Sequence, residues 1–547
     1  MKKIVSLILV AAFMLGLATP ISAVDETKLP VIYIVGKQNT PVYKLDENGN
    51  FLIGEDGKKV QVDNVNTPLG MDRGDYILSQ IEPVVSELAM ALVTDDYSDY
   101  IDTLVESFGA VYKDAVLDKD GTSSDTAIDW DYSVQQPTKG AGGFNYYYFR
   151  YDWRYSPYET ADKLNQFVEY VCDKEDVDKV NIHARCYGSN VAMAYIARSF
   201  RGDYGREFRV NNLALNTTPI AGYFVVGALM SGSVEFDADV IDRYISLYLA
   251  GDDIFEDPTL EMLAVTLVSV TNQIKLLGLG LDKVQEIYEK IDDELIPRLA
   301  LASYGSFPSY WSMIGDNYFE KAKQMVFKTT VAEGEYAKLI EKIDLYHELL
   351  GKVDENGEAG YTKVLKNCKE TYEMKTCILA KYGYQSFPFF ENSELSGDGR
   401  GTVTELSLGG LGNVIDETFT EKELAEIKAL DGYDEKYLSP DKQVYAGTCL
   451  FPETTWFSKN LAHAQLVQID PIVTEFFKND GNFTVDSKDE YPQFFNYENG
   501  KFIEVEAIDA GDDNSSSGSP VWANNPFLVF IRFFTALFEF ITARLKK

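Results

Sequence analysis

The stretch 180–195, VNIHARCYGSNVAMAY, decides how the rest of the chain is organised. It begins as a buried strand, passes through a short turn, and continues as a helix rich in alanine, valine and methionine. Ala184 and Gly188 stand two residues before and two residues after Cys186. Small residues there let a strand and a helix pack closely on either side of a sharp turn. The sequence therefore predicts a strand–turn–helix unit with Cys186 at its apex.

Apolar runs and helical patterns alternate on both sides of this unit. Residues 29–35 and 210–215 are typical of buried strands, and Ser156 is placed to cap an amphipathic helix. A long and mostly helical region follows, after which a strand pattern returns at 375–381. Strands that alternate with helices are typical of a parallel, doubly wound sheet. We therefore expect an α/β fold, a doubly wound sheet with an inserted helical cap.

These patterns divide the chain into six segments. The expected segments are a signal peptide (1–23), the first part of the sheet domain (24–236), a helical cap (237–370), the second part of the sheet domain (371–506), a linker (507–525) and an amphipathic C-terminal helix (526–547). Two lysines, an apolar run and a small-residue cleavage site at the N-terminus predict a secreted, bacterial protein. The Gly, Ser and Asp content before the last helix is typical of a linker.

The predicted C-terminal helix has an unusually wide apolar face. Arg532 and Glu539 belong to a narrow polar stripe, and phenylalanine, leucine and isoleucine cover the rest. Two charged residues within so short a segment disfavour a full membrane span. Such a face is buried either in a membrane interface or against the cap or a partner protein. Contact with a membrane surface through 526–547 is therefore one of two open alternatives.

Composition limits the classes of function. The 547 residues carry a formal net charge of −36, which argues against binding to nucleic acid. Five cysteines are too few for a disulfide scaffold, and an odd number leaves at least one free thiol. Cys186 is the natural candidate for that thiol, while Cys368 and Cys377 are a candidate pair. The sequence has no zinc-ligand spacing, phosphate loop or dinucleotide fingerprint, so we expect no cofactor.

The turn around Cys186 is similar to the G-x-S-x-G nucleophile elbow of α/β-hydrolases. In that fold the nucleophile, the acid and the histidine follow one another along the chain. The chain has three histidines, and His463 is the one that lies late enough to act as the base. His183 is expected to be a satisfied histidine beneath the elbow. His347 is expected at the surface or in the cap, since its helix is strongly charged.

The remaining parts of such a site can also be assigned. Asp398 lies inside a glycine-rich turn after the strand at 375–381, where a carboxylate can orient an imidazole. The alternative for Asp398 is an ordinary aspartate of a surface turn. The oxyanion hole of this fold uses two backbone N–H groups, which we assign to Lys37 and Tyr187.

Four separated places then indicate a family. They are the opening strand and loop (30–46), Tyr-Asp-Trp-Arg with Ser-Pro (151–157), the elbow (184–188) and Gly-Asp-Gly-Arg-Gly-Thr-Val (397–403) with His463 downstream. In this order and spacing the chain resembles the lecithin:cholesterol acyltransferase and lysosomal phospholipase A2 family of α/β-hydrolases. The resemblance implies cleavage of a lipid ester, with acyl transfer to water or to an alcohol.

The chain departs from that family at the positions that matter for catalysis. Cys186 replaces the family's serine, and Arg185 replaces the histidine before it. The family's catalytic aspartate directly precedes Gly-Thr-Val, where this chain has Arg400. Asp398 matches the earlier aspartate of that motif, so its use requires a shifted loop. His463 matches the family's pattern without a departure.

Two functions follow from these matches and departures. The first is a lipase-like or acyltransferase-like enzyme that acts on a lipid or other acyl ester through Cys186, Asp398 and His463 and a covalent acyl-enzyme. A thiolate is more nucleophilic than an alcohol and depends less on a perfectly placed acid. The second is a catalytically degenerate hydrolase fold that serves as a lipid-binding or cell-envelope protein, since both the nucleophile and the acid are replaced.

Overall fold

The computed structural model of the protein describes most of the chain between the two termini. The described residues are 28–37, 39–62, 73–112, 114–235, 244–246, 282–386, 390, 392–463, 465 and 470–507. The predicted signal peptide (1–23), most of the predicted linker and the whole of the predicted C-terminal helix (526–547) lie outside these ranges. So does the first part of the predicted cap, apart from residues 244–246.

The strands of the described residues fall into one large sheet and two small pairs. They are β1 (Val31–Ile34), β2 (Val42–Lys44), β3 (Thr126–Ile128), β4 (Thr138–Lys139), β5 (Asn145–Phe149), β6 (Val180–Arg185), β7 (Val210–Asn216), β8 (Lys375–Tyr382), β9 (Leu411–Gly412), β10 (Val444–Tyr445), β11 (Thr455–Lys459), β12 (Phe494–Glu498) and β13 (Lys501–Glu504).

The α-helices of the described residues all lie between the first and the last strand in the chain. They span Arg73–Thr94, Ser98–Tyr112, Pro157–Glu175, Gly188–Phe200, Phe224–Ser231, Asp282–Leu301, Pro308–Trp311, Asp316–Val326, Thr330–Glu335, Ala337–Tyr346, Gly360–Tyr372, Val403–Ser407, Glu421–Lys428 and Asp470–Lys478. The predicted capping of the third of these is confirmed, because Oγ of Ser156 accepts a hydrogen bond from the N–H of Tyr158.

The large sheet has nine strands in the order β13-β12-β11-β8-β7-β6-β1-β5-β4. Its seven central strands are parallel, and only the outermost strand at each edge is antiparallel. The carboxyl ends of the parallel strands therefore share one edge of the sheet. The prediction of an α/β fold with a mostly parallel sheet flanked by helices is confirmed.

Both faces of the sheet are buried, which explains why its strands are continuously apolar in sequence. Neighbouring residues such as Val31 and Ile32, or Ala214 and Leu215, belong to two different hydrophobic clusters on opposite faces. The helix Asp470–Lys478 covers the face of Val31 and Ala214. Every one of these strand residues has no exposed surface.

A layer of helices lies between β7 and β8 in the chain, within the segment predicted as a cap. Its helix Asp282–Leu301 packs against the helix Ser98–Tyr112, which comes from a much earlier part of the sequence. The helix Arg73–Thr94 packs on Ser98–Tyr112 and shares one hydrophobic cluster with both. Val84 and Leu88 lie with Val284 and other apolar residues in this cluster. No helix within the described ranges is long and apolar enough to cross a membrane.

Two stretches before His463, 444–450 and 454–457, have strand-like sequences, and only the second lies on a strand of the large sheet. The strand-like pattern of 444–450 forms only the short β10, which pairs with β9 outside the large sheet and runs into a 3₁₀ turn at Ala446–Thr448. The sheet strand is β11, at Thr455–Lys459. The apolar residues of 444–450 are buried by neighbouring loops, so their pattern resembles that of a sheet strand without being one.

The cysteines form no disulfide. All five lie within the described residues, and all are buried and free. Cys368 and Cys377, the candidate pair, pack into hydrophobic clusters on opposite faces of the sheet. The sheet itself therefore separates the two thiols.

Candidate active site

The strand–turn–helix unit around Cys186 has the predicted form. β6 ends at Arg185, and the helix begins at Gly188. Cys186 between them has a φ of 49°, in the left-handed region that residues other than glycine rarely adopt. Its N–H donates to the carbonyl oxygen of Asn216 on β7 at 2.9 Å. The turn is therefore held in a strained conformation by the neighbouring strand.

Two glycines leave room for this turn: Gly188, at the start of the helix, and Gly36, in the loop after β1. A Cβ on Gly188 would lie 2.6 Å from the carbonyl oxygen of Val35 and 2.7 Å from that of Ile34. A Cβ on Gly36 would lie 3.3 Å from the Cβ of Cys186. The start of the helix thus abuts the end of β1, and the loop after β1 runs directly beside the thiol.

His463 lies between Cys186 and Asp398. Its Nε2 is 3.2 Å from Sγ of Cys186, and its Nδ1 is 2.6 Å from Oδ2 of Asp398. The three side chains are buried, with Asp398 fully inaccessible. A carboxylate at Nδ1 leaves Nε2 facing the thiol, which is the arrangement that general-base catalysis on a nucleophile requires.

The turn that holds Asp398 explains how this residue, rather than the one at position 400, reaches the imidazole. Gly397 and Gly401 approach so closely that a Cβ on Gly397 would lie 1.9 Å from the carbonyl oxygen of Gly401. The N–H groups of Arg400 and Gly401 donate to Oδ1 of Asp398 at 2.9 and 3.0 Å. The carbonyl oxygen of Asp398 accepts a further bond from the N–H of His463 at 2.7 Å. This tight turn directs the carboxylate of Asp398 at Nδ1 of His463.

The charged forms of Cys186, His463 and Asp398 stabilise one another electrostatically. Burial raises the pKa of the Cys186 thiol, but the His463 imidazolium and the guanidinium groups of Arg400 and Arg185 outweigh burial and lower it to about 6. Burial opposes ionisation of Asp398 as well, yet His463 lowers its pKa to about 2. Burial lowers the pKa of His463, whereas the two anionic partners raise it above its ordinary value. The site therefore favours a thiolate–imidazolium pair beside a carboxylate.

The loop after β1 and the start of the elbow helix supply the groups assigned to the oxyanion hole. Tyr187 precedes the first helical residue, so its N–H is among the amides that have no acceptor within the helix. Lys37 follows Gly36, which packs beside Cys186. The ammonium of Lys37 contacts the hydroxyl of Tyr310, so its side chain turns toward the helical layer.

Tyr223 is part of the site and was missed by sequence reasoning. Its hydroxyl lies 3.9 Å from Sγ of Cys186 and donates to the carbonyl oxygen of Thr217 at 2.6 Å. Its ring packs edge-on against His463, with the ring centroids 5.4 Å apart. Tyr223 comes from the segment after β7, where no motif or spacing distinguishes it from the other tyrosines. Tyr223 therefore contacts both the thiol and the imidazole of the site.

The other two histidines take no part in the contacts that join Cys186, His463 and Asp398. His183 is buried beneath the elbow and packs edge-on against Tyr33, and burial lowers its pKa to about 3. Neither ring nitrogen of His183 has a hydrogen-bond partner among the described residues, so the predicted satisfied histidine is instead a neutral, packed ring.

His347 is not a surface residue. It lies in a π-helical turn, is buried, and stacks on Phe319 with 3.7 Å between ring centroids. Its Nε2 lies 2.9 Å from Oδ1 of Asp316. The surface alternative is therefore wrong, and His347 lies instead in the helical layer of the segment predicted as the cap, with its imidazole buried.

No group of three or more His, Cys, Asp or Glu side chains within the described ranges is arranged to hold a metal ion.

No protein-family model matches the chain, and no curated protein matches it. Among solved structures, the crystal structure of the Tle4–Tli4 complex is similar at 13% identity, over 37% of this chain and 48% of that chain, with a TM-score of 0.18. The chain thus spans about half the length of that structure, and a likeness of this size carries no argument.

Proposed function

We propose that the protein is an α/β-hydrolase that cleaves an acyl ester, with Cys186 as nucleophile, and passes the acyl group to water or to an alcohol. The observation that carries the proposal is the continuous contact from Sγ of Cys186 through His463 to Asp398. These residues are far apart in sequence and follow β6, β8 and β11, which end at one edge of the sheet. A lipid ester is the proposed substrate class, because the resemblance described above implies it.

The first half of the reaction forms a thioester. The thiolate of Cys186 attacks the ester carbonyl carbon, and the carbonyl electrons move to the oxygen, which the N–H groups of Lys37 and Tyr187 stabilise. When the tetrahedral intermediate collapses, the bond to the leaving alkoxide breaks. The imidazolium of His463 donates its Nε2 proton to that alkoxide. The products are a free alcohol and an acyl group bonded to the sulfur of Cys186.

The second half releases the acyl group. His463, now neutral, removes a proton from water or from an acceptor alcohol, and the resulting oxygen nucleophile attacks the thioester. The carbon–sulfur bond breaks, and the thiolate is restored beside the imidazolium. Asp398 keeps Nδ1 of His463 protonated throughout and stabilises the imidazolium, as the acid of a triad does.

The assembled contacts favour the enzyme over a degenerate lipid-binding fold. A protein that had lost its catalytic role would have no need to hold a thiol at a φ of 49° and to bury a carboxylate against its histidine. Buried polar groups without a function are costly unless they are fully paired. In this site the thiol of Cys186 contacts His463, and His463 contacts Asp398, which is the order of nucleophile, base and acid in a catalytic triad.

The test is turnover of p-nitrophenyl acyl esters together with mass spectrometry of the trapped intermediate. We expect the parent protein to release p-nitrophenol and to carry one acyl group on Cys186, and we expect Cys186→Ala to lose both signals. Cys449→Ala is the matched control, because Cys449 is also buried but its thiol pKa is raised to about 12 by burial. Turnover that survives in Cys186→Ala, or a parent protein inert to all such esters that retains bound fatty acid, would refute the proposal.

A further inference from the structure

A buried lysine lies directly beneath the loop that carries His463. Lys381 is near the carboxyl end of β8, only 4% exposed, and its neighbour in the sheet is Ser458 of β11. Its Nζ donates to the carbonyl oxygens of Ala462 at 2.7 Å, His463 at 3.2 Å and Gln465 at 2.8 Å. An ammonium group has three donors, and here all three have an acceptor in the same loop.

The loop is built around this ammonium group. The N–H of Gln465 donates to the carbonyl oxygen of Ala462, and the N–H of Ala462 donates to Oε1 of Gln465. Ala462 and Gln465 are thus hydrogen-bonded to each other twice, and the carbonyl oxygens of Ala462, His463 and Gln465 converge on Nζ of Lys381. Without a cation, three carbonyl dipoles would point at one another in a buried space. A neutral side chain in place of Lys381 would therefore require the loop to rearrange.

The charge of Lys381 also acts on the acid of the site. Burial lowers the pKa of Lys381 to about 7, and the carboxylate of Asp398 opposes that effect. Reciprocally, Lys381 is among the groups that hold the pKa of Asp398 low. The positive charge of Arg185 lowers the pKa of Lys381. The thiolate of Cys186 raises it. The lysine is therefore coupled to the acid and the nucleophile in addition to the loop that bears the base.

We propose that Lys381 is a positioning residue for the acyl-transfer reaction, whose ammonium group holds the backbone of Ala462, His463 and Gln465 so that His463 contacts both Cys186 and Asp398. The inference rests on the proposed function of Cys186. Lys381 itself contacts neither the thiol nor the reacting ester. It acts through the backbone of the histidine loop.

A second lysine at the same edge of the sheet offers a matched control. Lys459 ends β11, is largely buried, and its Nζ lies 2.9 Å from Oδ2 of Asp441. Asp441 also accepts hydrogen bonds from Tyr382 and Ser439. Loss of Lys459 therefore disturbs a buried ion pair nearby without removing a contact to the histidine loop.

The experiment measures the rate at which iodoacetamide alkylates Cys186 as a function of pH, by mass spectrometry on the folded fraction from gel filtration. We expect the parent midpoint near the Cys186 pKa of about 6. In Lys381→Met and Lys381→Gln, we expect it to rise by about one unit or more, because the imidazolium no longer faces the thiol. Lys459→Met should keep the parent midpoint. In ester turnover, the two Lys381 variants should lose kcat with little change in KM.

Two results would overturn the inference. One is a folded Lys381→Met or Lys381→Gln protein with the parent midpoint and kcat, and the other is an equal shift in Lys459→Met. Lys381→Gln serves if the methionine variant aggregates, since its amide still offers two donors to the loop. A parent protein without ester turnover, but with the expected shift in alkylation, would refute the proposed function and leave the positioning role supported.

Discussion

The thiol of Cys186 and the imidazole of His463 form a buried pair whose shared proton decides the reactivity of the site. Sulfur holds a negative charge more readily than a serine oxygen, and His463 at 3.2 Å lowers the thiol pKa further. Asp398 raises the pKa of His463 against the effect of burial. These shifts favour the thiolate form of Cys186 at neutral pH, whereas a serine in its place would need its base to remove the proton during attack.

The pH dependence of Cys186 follows from these shifts. The thiolate is the deprotonated form and the thiol pKa is lowered, so reactivity toward iodoacetamide should rise with pH through about 6 and then level off. His463→Ala should move the midpoint up toward about 8.5, the value of an ordinary thiol. Alkylation rates between pH 4 and 10 give both midpoints. A parent midpoint above pH 8 would contradict the thiolate–imidazolium pair.

Asp398 is the carboxylate that should support turnover. Asp398→Asn should lower kcat for p-nitrophenyl esters by about 10²–10⁴, because an amide donates to Nδ1 and leaves a proton on Nε2. Steady-state kinetics measure the change. Asp176→Asn is the control, since Asp176 is an exposed helix cap with φ 54°, a conformation that asparagine tolerates. Equal losses in both variants, or none in Asp398→Asn, would exclude Asp398 as the acid.

At the scale of elements, the elbow depends on the close approach of β1, β6 and the helix Gly188–Phe200. The helix begins where a side chain would collide with the carbonyl oxygens of Ile34 and Val35. The strand–turn–helix pattern was predictable because it is local, and the alternation of small and apolar residues encodes it directly. Two stretches before His463 have strand-like sequences, and the choice between them was not local in this way: 454–457 lies on β11, whereas 444–450 is equally apolar and forms only the short β10.

Gly188→Ala tests the close approach. Its Cβ would lie 2.6 Å from a backbone oxygen that cannot move independently of β1, so we expect a loss of about 1–3 kcal/mol in the free energy of unfolding. Urea denaturation followed by circular dichroism measures it. Gly334→Ala is the control, because no atom lies within 4 Å of its added Cβ and alanine favours a helix. If Gly188→Ala were as stable as the parent, the backbone of the elbow or of β1 would have to shift to make room for the added Cβ.

At the scale of the whole molecule, the parallel sheet brings together side chains that are distant in sequence. His463 is 277 residues from Cys186 and 65 from Asp398, yet all three lie beyond the carboxyl ends of parallel strands. The helical layer is also assembled from distant parts, because the helix Asp282–Leu301 shares a hydrophobic cluster with the helices of residues 73–112. The predicted cap, residues 237–370, therefore contains only some of the helices of that layer, because the helices of residues 73–112 belong to it as well.

The C-terminal segment 526–547 provides the prediction at this scale. Its wide apolar face is buried either in a lipid interface or against the cap or a partner, and for the first alternative we propose that the segment brings the protein to a lipid substrate. We expect deletion of 526–547 to release the protein from sedimenting liposomes while p-nitrophenyl acetate turnover is retained. Replacing Phe533 and Phe534 by serine should weaken binding in the full chain. Equal sedimentation of the truncated protein would refute the role.

The sequence by itself determined the α/β class, the strand–turn–helix unit at Cys186 and the choice of His463, because periodicity, small residues and chain order are local or ordinal properties. It left open whether Asp398 or another carboxylate reaches His463, since Arg400 occupies the motif position. Only the tertiary structure decided this, through a glycine turn tight enough to aim Asp398 at the imidazole. Tyr223 and Lys381 likewise depend on contacts between strands and loops that no spacing in the sequence encodes.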